Sequence, residues 1–126
     1  MRYSRPMPTT AHQSLRALPS DYAIRRLTEQ EALSSPWLAL VRAPEGLTAV
    51  VEADAAEQER WTALYSGDEQ HGLDVPGMLA SLLAPLADAG VPVFVASTFN
   101  ADLVLVPSDR IDDAAVALAA AGHTVS

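Results

Sequence analysis

Apolar positions along this chain follow two rhythms, alternation and a helical stripe, broken by turn residues. Leu15 to Leu18 and Tyr22 to Leu27 read as short strands separated by a turn at Pro19-Ser20-Asp21. Thr28-Glu29-Gln30-Glu31 carries the pattern of a capping box and predicts a short helix ending before Pro36. The runs WLALVRA and LTAVVEA flank Pro44-Glu45-Gly46 and predict a hairpin. DAAEQER reads as one or two helical turns, and WTALYSG, Trp61 to Gly67, as another strand.

The second half is more sharply patterned. Leu79, Leu82, Leu83 and Leu86 stand at i, i+3, i+4 and i+7, one face of a helix. Pro76 suits its first turn and Gly90 its C-terminal stop. Pro85 lies inside the pattern and should delete one backbone bond and bend the helix. VPVFVASTFNADLVLVP, Val91 to Pro107, then predicts a hairpin. Ser108 is placed to cap a helix with Ile111, Ala115 and Leu118 on one face, Gly122 stops it, and HTVS is a last strand. From Trp61 onward the order is β-α-β-β-α-β, the ferredoxin-like arrangement of an antiparallel sheet with two helices on one face. Tyr22 to Arg60 looks like a shorter version. The expectation is therefore an α+β chain of two ferredoxin-like βαββαβ units with antiparallel sheets, the first unit degenerate. Residues 1–13 form a disordered tail, 14–60 the first unit and 61–126 the second.

The hairpin poses a packing problem. Val91, Val93 and Val95 alternate with Pro92, Phe94 and Ala96, and Leu103 and Leu105 with Val104 and Val106. An antiparallel strand with one face in water would alternate apolar with polar. Both faces here must be covered, the second by the companion half, by another copy of the chain, or by both.

Composition narrows the chemistry. With 126 residues, 49% of them apolar, the chain can build one core or two small fused ones. Its 16 acidic and 8 basic residues give a formal charge of −8, which argues against nucleic acid and anionic membrane as partners. There is no cysteine and no lysine, so thiol nucleophiles, disulfides and lysine Schiff bases are excluded. The first residues lack the apolar core of a secretory signal, and a cytoplasmic address is expected. Asp68, Glu69, His71 and Asp74 lack metal-ligand spacing and read as a solvated acidic loop. His12, His123, Ser108 and Asp112 have no nucleophile-elbow context, so no hydrolytic triad is read from them. No cofactor and no enzymatic activity are expected.

The block GLDVPGMLASLLAPLADAGVPVFVASTFNADLVLVP, preceded by LPSDYAIRRL and EGLTAVVE, resembles the small bacterial tandem ACT-domain proteins related to eukaryotic cytosolic arginine sensors. The resemblance implies two ACT units per chain, a homodimer, and a non-catalytic regulatory module that binds an amino acid between units and acts on a protein partner. It places the ligand between the turn Asp74, Val75, Pro76, Gly77, Met78 and the hairpin Thr98, Phe99, Asn100, Ala101, Asp102. The physical chemistry is compatible with that placement. A helix N-terminus offers free N–H groups to a carboxylate, Gly77 permits close approach, and Asp102 can take an ammonium. Phe99 would cover an apolar stem, and Asp68, Glu69 or Asp74 would meet a basic side chain. The alternative is an ACT scaffold kept for dimerisation or protein interaction with no ligand, which Pro76, Ala101 and Leu103 favour.

Overall fold

The computed structural model describes residues 12–67 and 77–126. Among these residues seven strands form one sheet: β1 (Ser14–Leu27), β2 (Ala39–Ala43), β3 (Gly46–Glu52), β4 (Trp61–Tyr65), β5 (Phe94–Ser97), β6 (Asp102–Pro107) and β7 (Thr124–Val125). Three helices accompany it: α1 (Glu29–Ser34), α2 (Met78–Asp88) and α3 (Ile111–Ala120). Strand order is β2-β3-β1-β4-β6-β5, with β7 paired to the start of β1. All pairings are antiparallel except β1 with β7. The α+β class and the antiparallel sheet agree with the sequence.

Several local elements follow the residues that encode them. Thr28 caps α1 reciprocally: its Oγ1 accepts from the Glu31 N–H at 3.1 Å, and its own N–H donates to the Glu31 carboxylate at 2.8 Å. That backbone bond holds the Glu31 pKa below its ordinary value. Both longer helices end the same way. Gly90 and Gly122 take positive φ, and the next N–H, of Val91 or His123, reaches back to the carbonyl of Leu86 or Leu118 at 2.9 Å. This six-to-one closure is the Schellman arrangement that the repeated Ala-Gly signature predicts.

Other expectations need correction. The break at Pro19 is absent, because β1 runs unbroken for 14 residues. Its register against β4 shifts between Ala17 and Asp21, so Pro19 sits in a bulge, where a missing N–H does no harm. The ferredoxin-like β-α-β-β-α-β order is present, but β1 lies between β4 and β7, which would otherwise pair directly. DAAEQER is not helical; its acids are used as partners for arginine. Arg25 pairs with Asp54 at 3.1 Å and with Glu57, and Arg60 Nε donates to Asp21 at 3.0 Å. Ser108 does not cap α3. It opens a 3-10 turn, and its hydroxyl meets Thr62 Oγ1 at 2.9 Å. Gln13, at the end of the stretch read as tail, is buried.

The hairpin's doubly apolar pattern is explained within the chain. Val104 and Val106 face α2 and α3 and join a cluster with Leu64, Leu82, Leu86, Ala114 and Leu118. Leu103 and Leu105 face the other way and pack with Ala63, Tyr22 and Val50. Leu38 and Ala39 near one edge of the sheet, and Phe94 and Ala96 at the other, flank this second cluster. Residues from both edges meet over one core, so the sheet is strongly coiled, the direction its natural twist allows. The N-terminal half is thus the cover of the second face.

Pro85 explains a buried histidine. Having no N–H, Pro85 leaves the carbonyl of Ser81, four residues earlier, without its helical donor. His123 Nε2 supplies that donor at 2.9 Å, while its Nδ1 accepts from the Gln13 N–H at 3.1 Å. The two bonds fix the neutral tautomer with its proton on Nε2. Gln13 completes the knot, its Nε2 donating to the Met78 carbonyl at 2.7 Å and to Ser81 Oγ at 3.0 Å.

Two outcomes follow. Leu105→Ala should cost about 2–5 kcal/mol, as for other buried leucines, and Val104→Ala should also destabilise; denaturant melts that found either change neutral would mean one bare face. His123→Ala should cost on the order of 1–3 kcal/mol by orphaning the Ser81 carbonyl. Adding Pro85→Ala, which restores an N–H, should recover part of that loss in a double-mutant cycle.

Candidate functional site

Of the residues singled out from sequence, Gly77 and Met78 begin α2, and Thr98, Phe99, Asn100 and Asp102 form the β5–β6 turn. Tyr65, the last residue of β4, pairs with Leu103, and the following Ser66 meets Asp102 at the start of β6. Helix α2 returns from this end. Its first turn is tied by Gln13, one residue ahead of β1, whose Arg16 pairs with Tyr65. Gly77, Met78 and the hairpin tip therefore share this end. Asp74 and Val75, with Asp68, Glu69, His71 and Pro76, lie outside the described residues.

Gly77 is the N-cap of α2, with φ of 80° and no side-chain cap. A side chain there would be strained by the left-handed backbone, although nothing stands within 4 Å of where a Cβ would be. Gly77 has no side chain with which to cap the first N–H groups of α2, and the helix dipole makes that end electropositive. Beside that turn, Gln13 Oε1 is buried without a hydrogen-bond partner among the described residues.

The hairpin tip is built around Thr98 and Asp102. Thr98 closes the turn: its N–H donates to the Ala101 carbonyl at 2.8 Å, and its Oγ1 accepts from the Ala101 N–H at 2.9 Å. Asn100 is exposed, and Phe99 is 77% exposed. Asp102 is the opposite, only 6% exposed. Its backbone exchanges bonds with Ser66, N–H to Oγ at 2.9 Å and carbonyl to N–H at 3.1 Å. Its carboxylate accepts from Ser97 Oγ at 2.9 Å. No cation among the described residues pairs with it.

Ser66, Ser97, Gln13 and His123 were not nominated as site residues by sequence. Ser66 has no local signature, since only the β4–β6 register brings it to Asp102. Gln13 and His123 become visible once Pro85 is seen to orphan a carbonyl. Tyr65 lies over Gly67, where it fills the space a Cβ would need, and the Arg16 guanidinium sits 5.6 Å from its ring centroid. Among the described residues no group of three His, Cys, Asp or Glu side chains could hold a metal ion, and no helix is long and apolar enough to cross a membrane.

The fold is a coiled antiparallel sheet backed by two helices, with β-α-β-β-α-β order from β4 to β7. The ACT domain family model matches residues 56–120, just over half of the chain, and the chain belongs to that family. It is 40% identical over 53 residues to the "cytosolic arginine sensor for mTORC1 subunit 1" of Homo sapiens and of Bos taurus. That match covers 42% of this chain and 16% of the sensor, so the chain spans only a small part of those relatives. Among solved structures, a protein from Agrobacterium tumefaciens superposes with a TM-score of 0.77 at 28% identity, covering 91% of this chain and 92% of that one. A protein of unknown function from Vibrio cholerae gives 0.75 at 23% identity over 86% and 89%.

Gly77→Ala should destabilise by about 1–2 kcal/mol, the cost of a left-handed non-glycine residue, and Gly77→Asn by less. Thermal melts check the order, and an unchanged Gly77→Ala would contradict the assigned backbone.

Proposed function

We propose that the chain is a non-catalytic regulatory module that binds a free amino acid where α2 begins and the β5–β6 hairpin turns. One observation carries the reading: Asp102 is a buried carboxylate whose only side-chain donor among the described residues is a neutral hydroxyl. Burying an unpaired charge is costly, and a cationic partner with hydrogen bonds lowers that cost. An α-ammonium group supplies such a partner. The first N–H groups of α2, which Gly77 cannot cap with a side chain, suit the α-carboxylate on the same molecule. Asp74, Val75 and Met78 complete the turn side of the proposed site, and Thr98, Phe99 and Asn100 its hairpin side. Thr98 contributes by holding the turn rather than through its hydroxyl, which is already bonded. The arginine-sensor relatives make a basic amino acid the first ligand to try. The cytoplasm is the matching compartment.

Two ACT units per chain, 14–60 and 61–126 with the first reduced, remain part of this proposal. So does a homodimer in which a second copy helps to enclose the ligand and a partner protein reads the result. A scaffold without ligand is the second reading, and exposed Phe99 beside β5, an open edge of the sheet, favours it.

A thermal-shift screen of the twenty amino acids tests the two. At a hundred times its dissociation constant a ligand should add about 2.7 kcal/mol of stability, and Asp102→Asn should abolish the gain. A flat screen rejects the sensor. If Phe99→Ser also converts a dimer to a monomer in light scattering, the scaffold stands in its place.

A further inference from the structure

The opposite end of the sheet holds a second concavity. Where β4 begins and β6 ends, a cleft of about 690 Å³ opens, within the range of small-molecule sites. Trp61 and Pro107, register partners across β4 and β6, line it together with Pro92. Exposed Glu59 and Asp109 add two carboxylates to the lining.

Arg60 also lines the cleft, but its charge is committed. Its Nε donates to Asp21 at 3.0 Å and its Nη1 to the Asp54 carbonyl at 2.9 Å. The balance is therefore anionic around an aromatic and two prolines. Trp61 is half-buried, and its indole N–H has no hydrogen-bond partner among the described residues, whereas that of Trp37 is bonded to the Ala32 carbonyl at 2.9 Å. A solvated acidic surface accounts for the carboxylates alone. It does not account for the tryptophan and two prolines that line the same cleft.

We propose that this cleft is a second binding site, for a small organic cation that carries an amine or guanidinium on a flat apolar body. The carboxylates give charge-assisted hydrogen bonds to the cationic head, and the indole adds cation–π attraction. Trp61, Pro92 and Pro107 cover the body. The site is separate from the proposed amino-acid site: β4 runs from Trp61 at this end to Tyr65 at the other, roughly 13 Å at strand rise.

The test uses the full chain with Trp37→Phe, which leaves Trp61 as the sole tryptophan. Its fluorescence is followed during titration with benzylamine and with the neutral analogue benzyl alcohol. Benzylamine should give a saturable change, and benzyl alcohol should bind at least tenfold more weakly. Glu59→Gln with Asp109→Asn should weaken benzylamine at least tenfold, whereas Asp102→Asn should leave it unchanged. If Trp37→Phe does not fold, the Trp61 indole resonance of the unsubstituted chain gives the same readout by NMR. Absence of saturation, equal affinity for the two probes, or indifference to the double substitution overturns the proposal. A flat amino-acid screen with benzylamine binding intact would reject only the first site.

Discussion

Everything in this fold depends on a strand buried on both sides. β6 sends Val104 and Val106 into the helix-backed core and Leu103 and Leu105 into the second one. Its backbone is satisfied laterally by β4 and β5. A one-residue slip would exchange the two sets of side chains, placing leucines where valines fit and the reverse. Register is therefore fixed from both faces, and so is the position of Asp102, the first residue of the strand. The carboxylate at the hairpin is located by packing, with the hydroxyl bond from Ser97 adding orientation.

The same constraint makes the two halves of the chain interdependent. The second face of β6 is dry because Tyr22 and Val50 lie over it, and they come from β1 and β3. β1 also separates β4 from β7, so the C-terminal ferredoxin-like order closes only with an N-terminal strand inserted. The knot of Gln13, Ser81 and His123 ties the start of β1, the first turns of α2 and the C-terminus through hydrogen bonds that Pro85 makes necessary. A proline that weakens α2 locally is compensated by contacts more than forty residues away in sequence. Those contacts also steady the helix start beside Gly77.

Much of this was legible in the sequence, for physical reasons that can be named. Helix stops at Gly90 and Gly122, the Thr28 box and the hairpin around Gly46 are set by residues close together in the chain, and all are present. The double covering of β6 was readable because alternation fails there. What was not readable depends on long-range pairing. The bulge at Pro19 depends on β4, and the insertion of β1 depends on β7, with Leu15 paired to Val125. DAAEQER has helical composition, but the demand of Arg25 and Arg60 for partners overrides it. At the candidate site, Asp102 and Gly77 could be named from the sequence, whereas Ser66 and Gln13 needed the register and the knot.

A sheet filled on both faces has few places left to meet a small molecule. Its edges, β2 and β5, present backbone groups suited to another strand, and their exposed neighbours Val41, Val93 and Phe99 are apolar. Its ends are different. There strands give way to turns, polar backbone is free, and side chains leave the two cores. One end holds the buried carboxylate of Asp102, and the other a cleft lined by an indole and two carboxylates. Both proposed sites would suit a positive group, in a chain whose net charge of −8 draws cations toward it from a distance. The division of labour follows from the packing: faces hold the molecule together, and both proposed ligand sites fall at the ends, where side chains leave the two cores.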